Sequence, residues 1–224
     1  MRGPVLRFAG AEFRYAGARE AALSLPRLEI DRGELVAVIG PIGSGTTSLL
    51  LVSGGFAPRL IGGSLTGTHE LNARLPAIVF ATPWTQLTGL CSTVLAEVAF
   101  GPASHGLPKE RVLEVARRQL ERLGIAHLAT RDPASLSGGE LQRVIVAGAL
   151  ALEPDLLLLD DPAAELDPAA ADALYHLLRE VAAEGTAVMV ATPDIERAAR
   201  VATRTLRLAG GIIVEDRTAG RVPL

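Results

Sequence analysis

The run Glu34-Leu35-Val36-Ala37-Val38-Ile39 leads directly into Gly40-Pro41-Ile42-Gly43-Ser44-Gly45-Thr46-Thr47-Ser48. No other stretch constrains the fold as much. A short apolar run, a glycine-rich stretch and a helix start require a strand, a tight loop and a helix in that order. Gly40, Gly45 and Thr47 meet the pattern G-x-x-x-x-G-K-[ST] at every place but one, where Thr46 replaces the lysine. In such a loop the backbone N–H groups close around phosphate oxygens because no Cβ stands in the way. The lysine places a positive charge on the outer phosphates, and the next hydroxyl reaches a magnesium ion. The N–H donors and the Thr47 hydroxyl survive the change. The charge does not, because Lys109 is the only lysine of the chain and lies far away in sequence.

The remaining segments suit this junction. Val5 to Ile30 mixes short alternating segments with Gly17 and Pro26 and reads as antiparallel strands and turns. Gly54 to Thr68 is rich in glycine and turn residues. Ala77 to Phe80, Leu156 to Asp160 and Thr186 to Ala191 are apolar runs of strand length, and Thr203 to Glu215 reads as short returning strands. From Thr88 to Thr130 the character is helical. Lys109 to Leu123 carries Val112, Val115, Ala116, Leu120 and Leu123 on one stripe and stops at Gly124. Ser137 to Leu152 and Pro168 to Glu184 are further helices, the second with Asp167 as N-cap and Pro168 at its first position. The alternation predicts an α/β fold with a mainly parallel sheet. It forms one domain over residues 1–224, with a helical insertion at about residues 88–135.

Composition excludes several classes. A chain of 224 residues can bury one substantial core. A net charge of −3 gives no general attraction to nucleic acid or anionic lipid, so no nucleic-acid partner is expected. The single cysteine, Cys91, rules out an internal disulfide and reads as a small core or half-buried residue. His69, His105, His127 and His176 form no metal-ligand cluster and read as surface or helix-end residues. The longest strongly apolar run, Leu156 to Leu159, falls far short of a membrane span. The expected place is the cytoplasm, with membrane association only through a partner.

Two more segments carry chemistry. Leu156-Leu157-Leu158-Leu159-Asp160-Asp161 ends a buried strand in carboxylates, at the end where ligands bind open α/β sheets. Asp160 is placed to hold magnesium through water, and Asp161 to act as a base on the attacking water. Leu136-Ser137-Gly138-Gly139-Glu140-Leu141-Gln142-Arg143 opens a helix. Ser137 with Glu140 makes a capping box, but two glycines in a first turn weaken a helix unless something approaches its backbone closely. An anion at the helix N-terminus is the obvious candidate.

Leu-Ser-Gly-Gly-Glu resembles the signature motif of the ATP-binding cassette (ABC) ATPases. Asp160-Asp161-Pro162-Ala163-Ala164-Glu165-Leu166-Asp167-Pro168 is similar to that family's magnesium-carboxylate strand running into its D-loop, with Asp167 the D-loop aspartate. Tyr15 lies where the family has an aromatic that stacks on adenine. The resemblance covers Val5 to Glu215. It implies the P-loop NTPase fold of the ABC type: a mainly parallel central sheet, an antiparallel β-subdomain and a helical subdomain. It also implies ATP and Mg2+ as cofactors. Gly40, Gly43, Ser44, Gly45, Thr46, Thr47 and Ser48 would bind nucleotide, and Thr47 and Asp160 the metal. Ser137, Gly138, Gly139 and Glu140 would serve a partner's site. A narrower resemblance, carried by Gln86-Leu87-Thr88-Gly89, Thr93-Val94 and Glu97 to Pro102, is to the ATPase subunits of energy-coupling factor importers.

The family pattern breaks at four places. Thr46 replaces the loop lysine, Ala81 a glutamine that contacts magnesium and the attacking water, Asp161 the catalytic glutamate, and Pro193 a histidine that touches the γ-phosphate. All four belong to the γ-phosphate and its water, so hydrolysis at this chain's own site is expected to be impaired. The signature is intact. Cassettes of this family dimerise head to tail, each site joining one chain's loop to the other's signature. The asymmetry therefore favours a heterodimer over a homodimer, with this chain completing its partner's site and an integral membrane subunit as a further partner. Alternatives are a self-sufficient homodimeric ATPase and a soluble, non-transport nucleotide sensor. Trp84 falls in the region the family turns toward the membrane subunit, though a packing role is the expectation from the residue itself. Arg111, Arg117, Arg118 and Arg122 read as the solvated face of their helix.

Overall fold

A computed structural model describes residues 3–218. The strands are β1 (Leu6–Arg14), β2 (Leu23–Ile30), β3 (Leu35–Ile39), β4 (Ser64–Leu71), β5 (Pro76–Val79), β6 (Leu156–Asp160), β7 (Ala187–Ala191), β8 (Arg204–Ala209) and β9 (Ile212–Thr218). The helices are α1 (Thr46–Ser53), α2 (Val94–Ser104), α3 (Lys109–Arg122), α4 (Gly138–Ala151), α5 (Pro168–Ala183) and α6 (Ile195–Val201). All nine strands join one sheet in the order β4-β1-β2-β9-β8-β3-β7-β6-β5. β3, β5, β6, β7 and β8 run parallel to their neighbours in this central part, as the alternation of strands and helices predicts. β1 pairs antiparallel with β2 and β4, and this wing joins the ladder of the sheet at the pair Ser24–Ile212 of β2 and β9.

Both faces of the central sheet are covered, which is why its strands read as unbroken apolar runs. Side chains alternate across it with period two. Leu35 and Ala37 of β3, Leu157 and Leu159 of β6, and Val188 and Val190 of β7 face the helical side with α2, α3, α4 and α5. Val36, Val38, Leu156, Leu158, Ala187 and Met189 face α1 and the antiparallel wing. The stripe on α3 packs as its spacing predicts, with Val112, Val115, Ala116 and Leu120 buried and Gln119 among them.

Several expectations are corrected. β4 begins inside the stretch Gly54 to Thr68, rich in glycine and turn residues, because its backbone pairs with β1 from Ser64 to Leu71. α6, begun by an Asp194 cap on the Arg197 N–H, has only Ala198 and Val201 buried, too few to show a period. His69 is neither a free surface residue nor at a helix end. It lies in β4 with its ring stacked on Phe8 at 4.9 Å, and its Nε2 is buried without a hydrogen-bond partner among the described residues. Trp84 is 47% exposed, so it does not play the packing role expected of it. Arg111 and Arg118 both reach Glu153, at 2.7 and 2.6 Å, and Arg122 reaches Glu184 at 2.9 Å. These arginines tie α3 to the far ends of α4 and α5 instead of merely facing water. Cys91 is half-buried, the second of the two settings expected for it.

Candidate nucleotide-binding site

The loop leaves β3 at its C-terminal end and is shaped by two glycines. Gly45, just before α1, has φ 99°, a left-handed conformation that a side chain disfavours. A Cβ on Gly40 would collide with Ser44 Oγ and stand 2.7 Å from the Leu208 carbonyl oxygen. The loop is tied down by the Gly211 N–H donating to the Ser44 carbonyl at 2.8 Å and the Ser44 N–H donating to Pro41 O at 2.9 Å.

β7 lies between β3 and β6 in the sheet, so the loop after β3 and the acidic end of β6 flank the end of β7. The three ends enclose a cleft of about 320 Å³. Gly40, Gly43, Thr46, Thr47, Asp160, Asp161 and Pro193 line it, so the sequence-derived metal, base and γ-phosphate candidates other than Ala81 converge there. Thr47 Oγ1 donates to Asp160 Oδ2 at 2.6 Å. Asp161 has φ 45°, a conformation Asp tolerates better than most residues, and its N–H donates to Ala191 O at 2.8 Å. Burial first, then Asp160 and Asp194, raise the Asp161 carboxyl above its ordinary pKa. No lysine or arginine lines the cleft among the described residues, so its charged lining consists of two carboxylates.

Other candidates lie apart. Ala81 follows β5 at the sheet edge and does not line the cleft. Ser44 and Ser48 are buried beneath the loop. Tyr15 packs edge-on against Phe13, and its hydroxyl shares a hydrogen bond of 2.9 Å with Ser48 Oγ, which fixes it against α1. Asp167 caps α5, its Oδ1 accepting from the Ala169 and Ala170 N–H groups at 3.0 and 2.9 Å.

At the start of α4 the capping box is complete. Glu140 Oε2 accepts from the Ser137 N–H and from the Ser137 hydroxyl, both at 2.8 Å. These two donors, the backbone one first, hold the Glu140 carboxyl below its ordinary pKa. Close approach to Gly138 and Gly139 is also present, and the approaching body is Glu165 of this same chain. Glu165 lies inside the D-loop motif, but no local pattern in the sequence places it over these glycines. Thr192, a further cleft residue, was missed, with only its place beside Pro193 to signal it. Tyr175 was missed too: its hydroxyl lies near Thr192 without meeting hydrogen-bond geometry, and burial pushes its pKa to about 12.

Comparison with known proteins points to one family. The ABC transporter family model matches residues 23–164. The energy-coupling factor transporter ATP-binding protein EcfA of Methanothermobacter thermautotrophicus is 36% identical over 200 residues, covering 85% of this chain and 64% of the relative. EcfA1 of Enterococcus faecalis is 32% identical over 228 residues, covering 98% of this chain and 81% of the relative. This chain thus spans less than two thirds of the first relative and about four fifths of the second. Among solved structures, cbiO1 from Clostridium perfringens, part of the ABC transporter complex cbiONQ, superposes with a TM-score of 0.81 at 28% identity. That match covers 97% of this chain and 89% of the other.

Proposed function

The chain belongs to the ABC transporter family of ATP-binding cassettes, and from that premise we propose that it is the impaired ATP-binding subunit of an energy-coupling-factor-type importer. It pairs with a second, hydrolysis-competent cassette and lends that partner its signature helix. The observation that carries this reading is the contrast between its two half-sites. The cleft presents Asp160 and Asp161 and no lining cation among the described residues, while α4 opens on Ser137, Gly138 and Gly139 with its cap in place. A charge-assisted hydrogen bond contributes roughly 1.5–3 kcal/mol, so the missing lysine alone weakens nucleotide binding or turnover about ten- to a hundredfold. Asp161 keeps the charge of the expected glutamate but reaches about one bond less far, and Pro193 offers no donor.

The Thr47 hydroxyl and Asp160 carboxylate, already in contact at 2.6 Å, form a hard-oxygen pair of the kind magnesium takes together with phosphate oxygens. The ion would neutralise phosphate charge there. The loop N–H groups orient the phosphates, and Asp161, its backbone held by Ala191 O, is the cleft carboxylate among the described residues left to polarise water once Asp160 is on the metal. The helical segment at 88–135 belongs to the same single domain.

No helix among the described residues is long and apolar enough to cross a membrane. Cytoplasmic placement at the membrane therefore comes through a membrane subunit. A groove of about 310 Å³ lined by Phe56, Ile78, Gln86, Phe100 and Leu152, with Trp84 exposed on the turn that carries Gln86, suits a helix of that subunit.

Two substitutions test the division of labour in the complex purified from its source cells through a tag on this chain. Ser137→Arg is expected to abolish ATP turnover, whereas Asp160→Asn leaves it largely intact. The reverse pattern would mean that this chain hydrolyses ATP at its own cleft.

A further inference from the structure

We infer that the Tyr175 hydroxyl is a buried donor kept for the nucleotide-bound cleft. It sets the Thr192 hydroxyl at the cleft wall, and that hydroxyl donates to a phosphate oxygen beside Pro193, whose own side chain has no donor. Thr192 is then a binding residue and Tyr175 the residue that positions it. The inference rests on the reading of the cleft as a nucleotide site.

The placement of Tyr175 follows from the register of α5. Asp172, three residues earlier, accepts from Arg197 Nε at 2.7 Å, and Arg197 also pairs with Asp194. Residues three apart share one face of a helix. Tyr175 therefore lies on the face of α5 that meets the segment from 192 to 197. It is only 1% exposed, and its hydroxyl stands beside Thr192 with Asp161 and Asp194 near. Among the described residues that hydroxyl has no hydrogen-bond partner.

Thr192 has the complementary vacancies. A hydroxyl can donate once and accept twice. Thr192 Oγ1 accepts from the Asp194 N–H at 3.1 Å, and its own proton goes to no acceptor among the described residues. One lone pair is left for the Tyr175 O–H, and the Thr192 proton is left for the cleft that Thr192 lines. The carboxylates of the cleft can only accept, and the Thr47 proton is already given to Asp160. A phosphate oxygen supplies the strong acceptor missing from the free cleft. Tyr175 then donates to Thr192 and Thr192 to the phosphate, each bond polarising the next.

A buried hydroxyl without a partner lowers stability, whereas phenylalanine would fill the same space at no such cost. The Tyr175 oxygen is thus useful only in a state in which it is bonded.

Titration calorimetry of the isolated full chain with MgATP tests this, with the Tm of each free variant read alongside. Tyr175→Phe is expected to weaken binding roughly two- to tenfold, the loss of one hydrogen bond, while Tm stays level or rises. Thr192→Val removes the hydroxyl through which Tyr175 acts, so adding Tyr175→Phe to it should weaken binding no further. Unchanged affinity in Tyr175→Phe, with binding still weakened by Asp160→Asn, overturns the inference and leaves the cleft standing as a nucleotide site. A lower Tm in Tyr175→Phe at unchanged affinity overturns it too, because the hydroxyl would then be bonded already in the free chain, through a buried water. Additive losses in the double variant would show Tyr175 acting without Thr192, against the inference. Wild-type binding that is absent, or indifferent to Asp160→Asn, removes the nucleotide reading of the cleft and this inference with it.

Discussion

At position 46 a hydroxyl stands where a cation would offset the charge of the outer phosphates, and among the described residues no neighbour lining the cleft replaces it. Thr46→Lys is therefore expected to tighten MgATP binding by the isolated chain about ten- to a hundredfold, read by titration calorimetry. An unchanged affinity would place the limit on the cleft's carboxylates instead. His69 makes a separate case. Burial lowers its pKa from 6.5, and the nearby Ser53 carbonyl offsets only part of that. The unfolded chain then binds the proton more readily than the folded one, so stability must rise as pH climbs from the lowered folded pKa to the unfolded value near 6.5. Urea midpoints between about pH 5 and 7 should show that rise in the wild type and a shallower one in His69→Gln. Equal slopes would locate the proton elsewhere.

Helix boundaries are legible where the chemistry is local. Ser137 with Glu140, and Asp167 with Pro168, begin α4 and α5 where their spacing predicts, because a cap needs only its own few residues. β4 was hidden because its strand character comes from pairing with β1, far away in sequence, and because Gly67 inside it and Gly62 and Gly63 just before it read as turns. The entry to the helical region shows a third case. Glu97 of α2 is only 8% exposed, and its carboxylate accepts the Thr88 N–H and the Thr88 hydroxyl, both at 2.7 Å. Residues quoted for the narrower family resemblance thus clasp the chain as it enters the helical region. Glu97→Ala would leave both Thr88 donors without their acceptor. It is expected to cost about 1–3 kcal/mol and to lower Tm by roughly 3–10 °C, measured by calorimetry. A Tm within a degree of the wild type would show water replacing the clasp.

For the molecule as a whole, the cleft was legible because sequence order alone brings it together: a loop and a carboxylate pair at the ends of parallel strands must meet at one edge of the sheet. The position of Ala81 outside that cleft, and of Glu165 over Gly138 and Gly139, depends on how the loops leave the sheet, which no local pattern encodes. These placements bear on assembly. A head-to-tail homodimer would set two clefts lined by Asp160 and Asp161 against two helix starts each carrying Glu165. Negative charge would then meet negative charge at both nucleotides with no lysine between them, and like-charge juxtaposition opposes association. The isolated chain is therefore expected to remain a monomer of 23.4 kDa in MgATP by light scattering. Thr46→Lys combined with Glu165→Gln adds a cation to each cleft and removes a carboxylate from each helix start, so this double variant should be the one that dimerises when MgATP is added. A wild-type dimer formed with MgATP would show that the chain completes its own sites, and a double variant that stays monomeric would show that charge is not what keeps the copies apart.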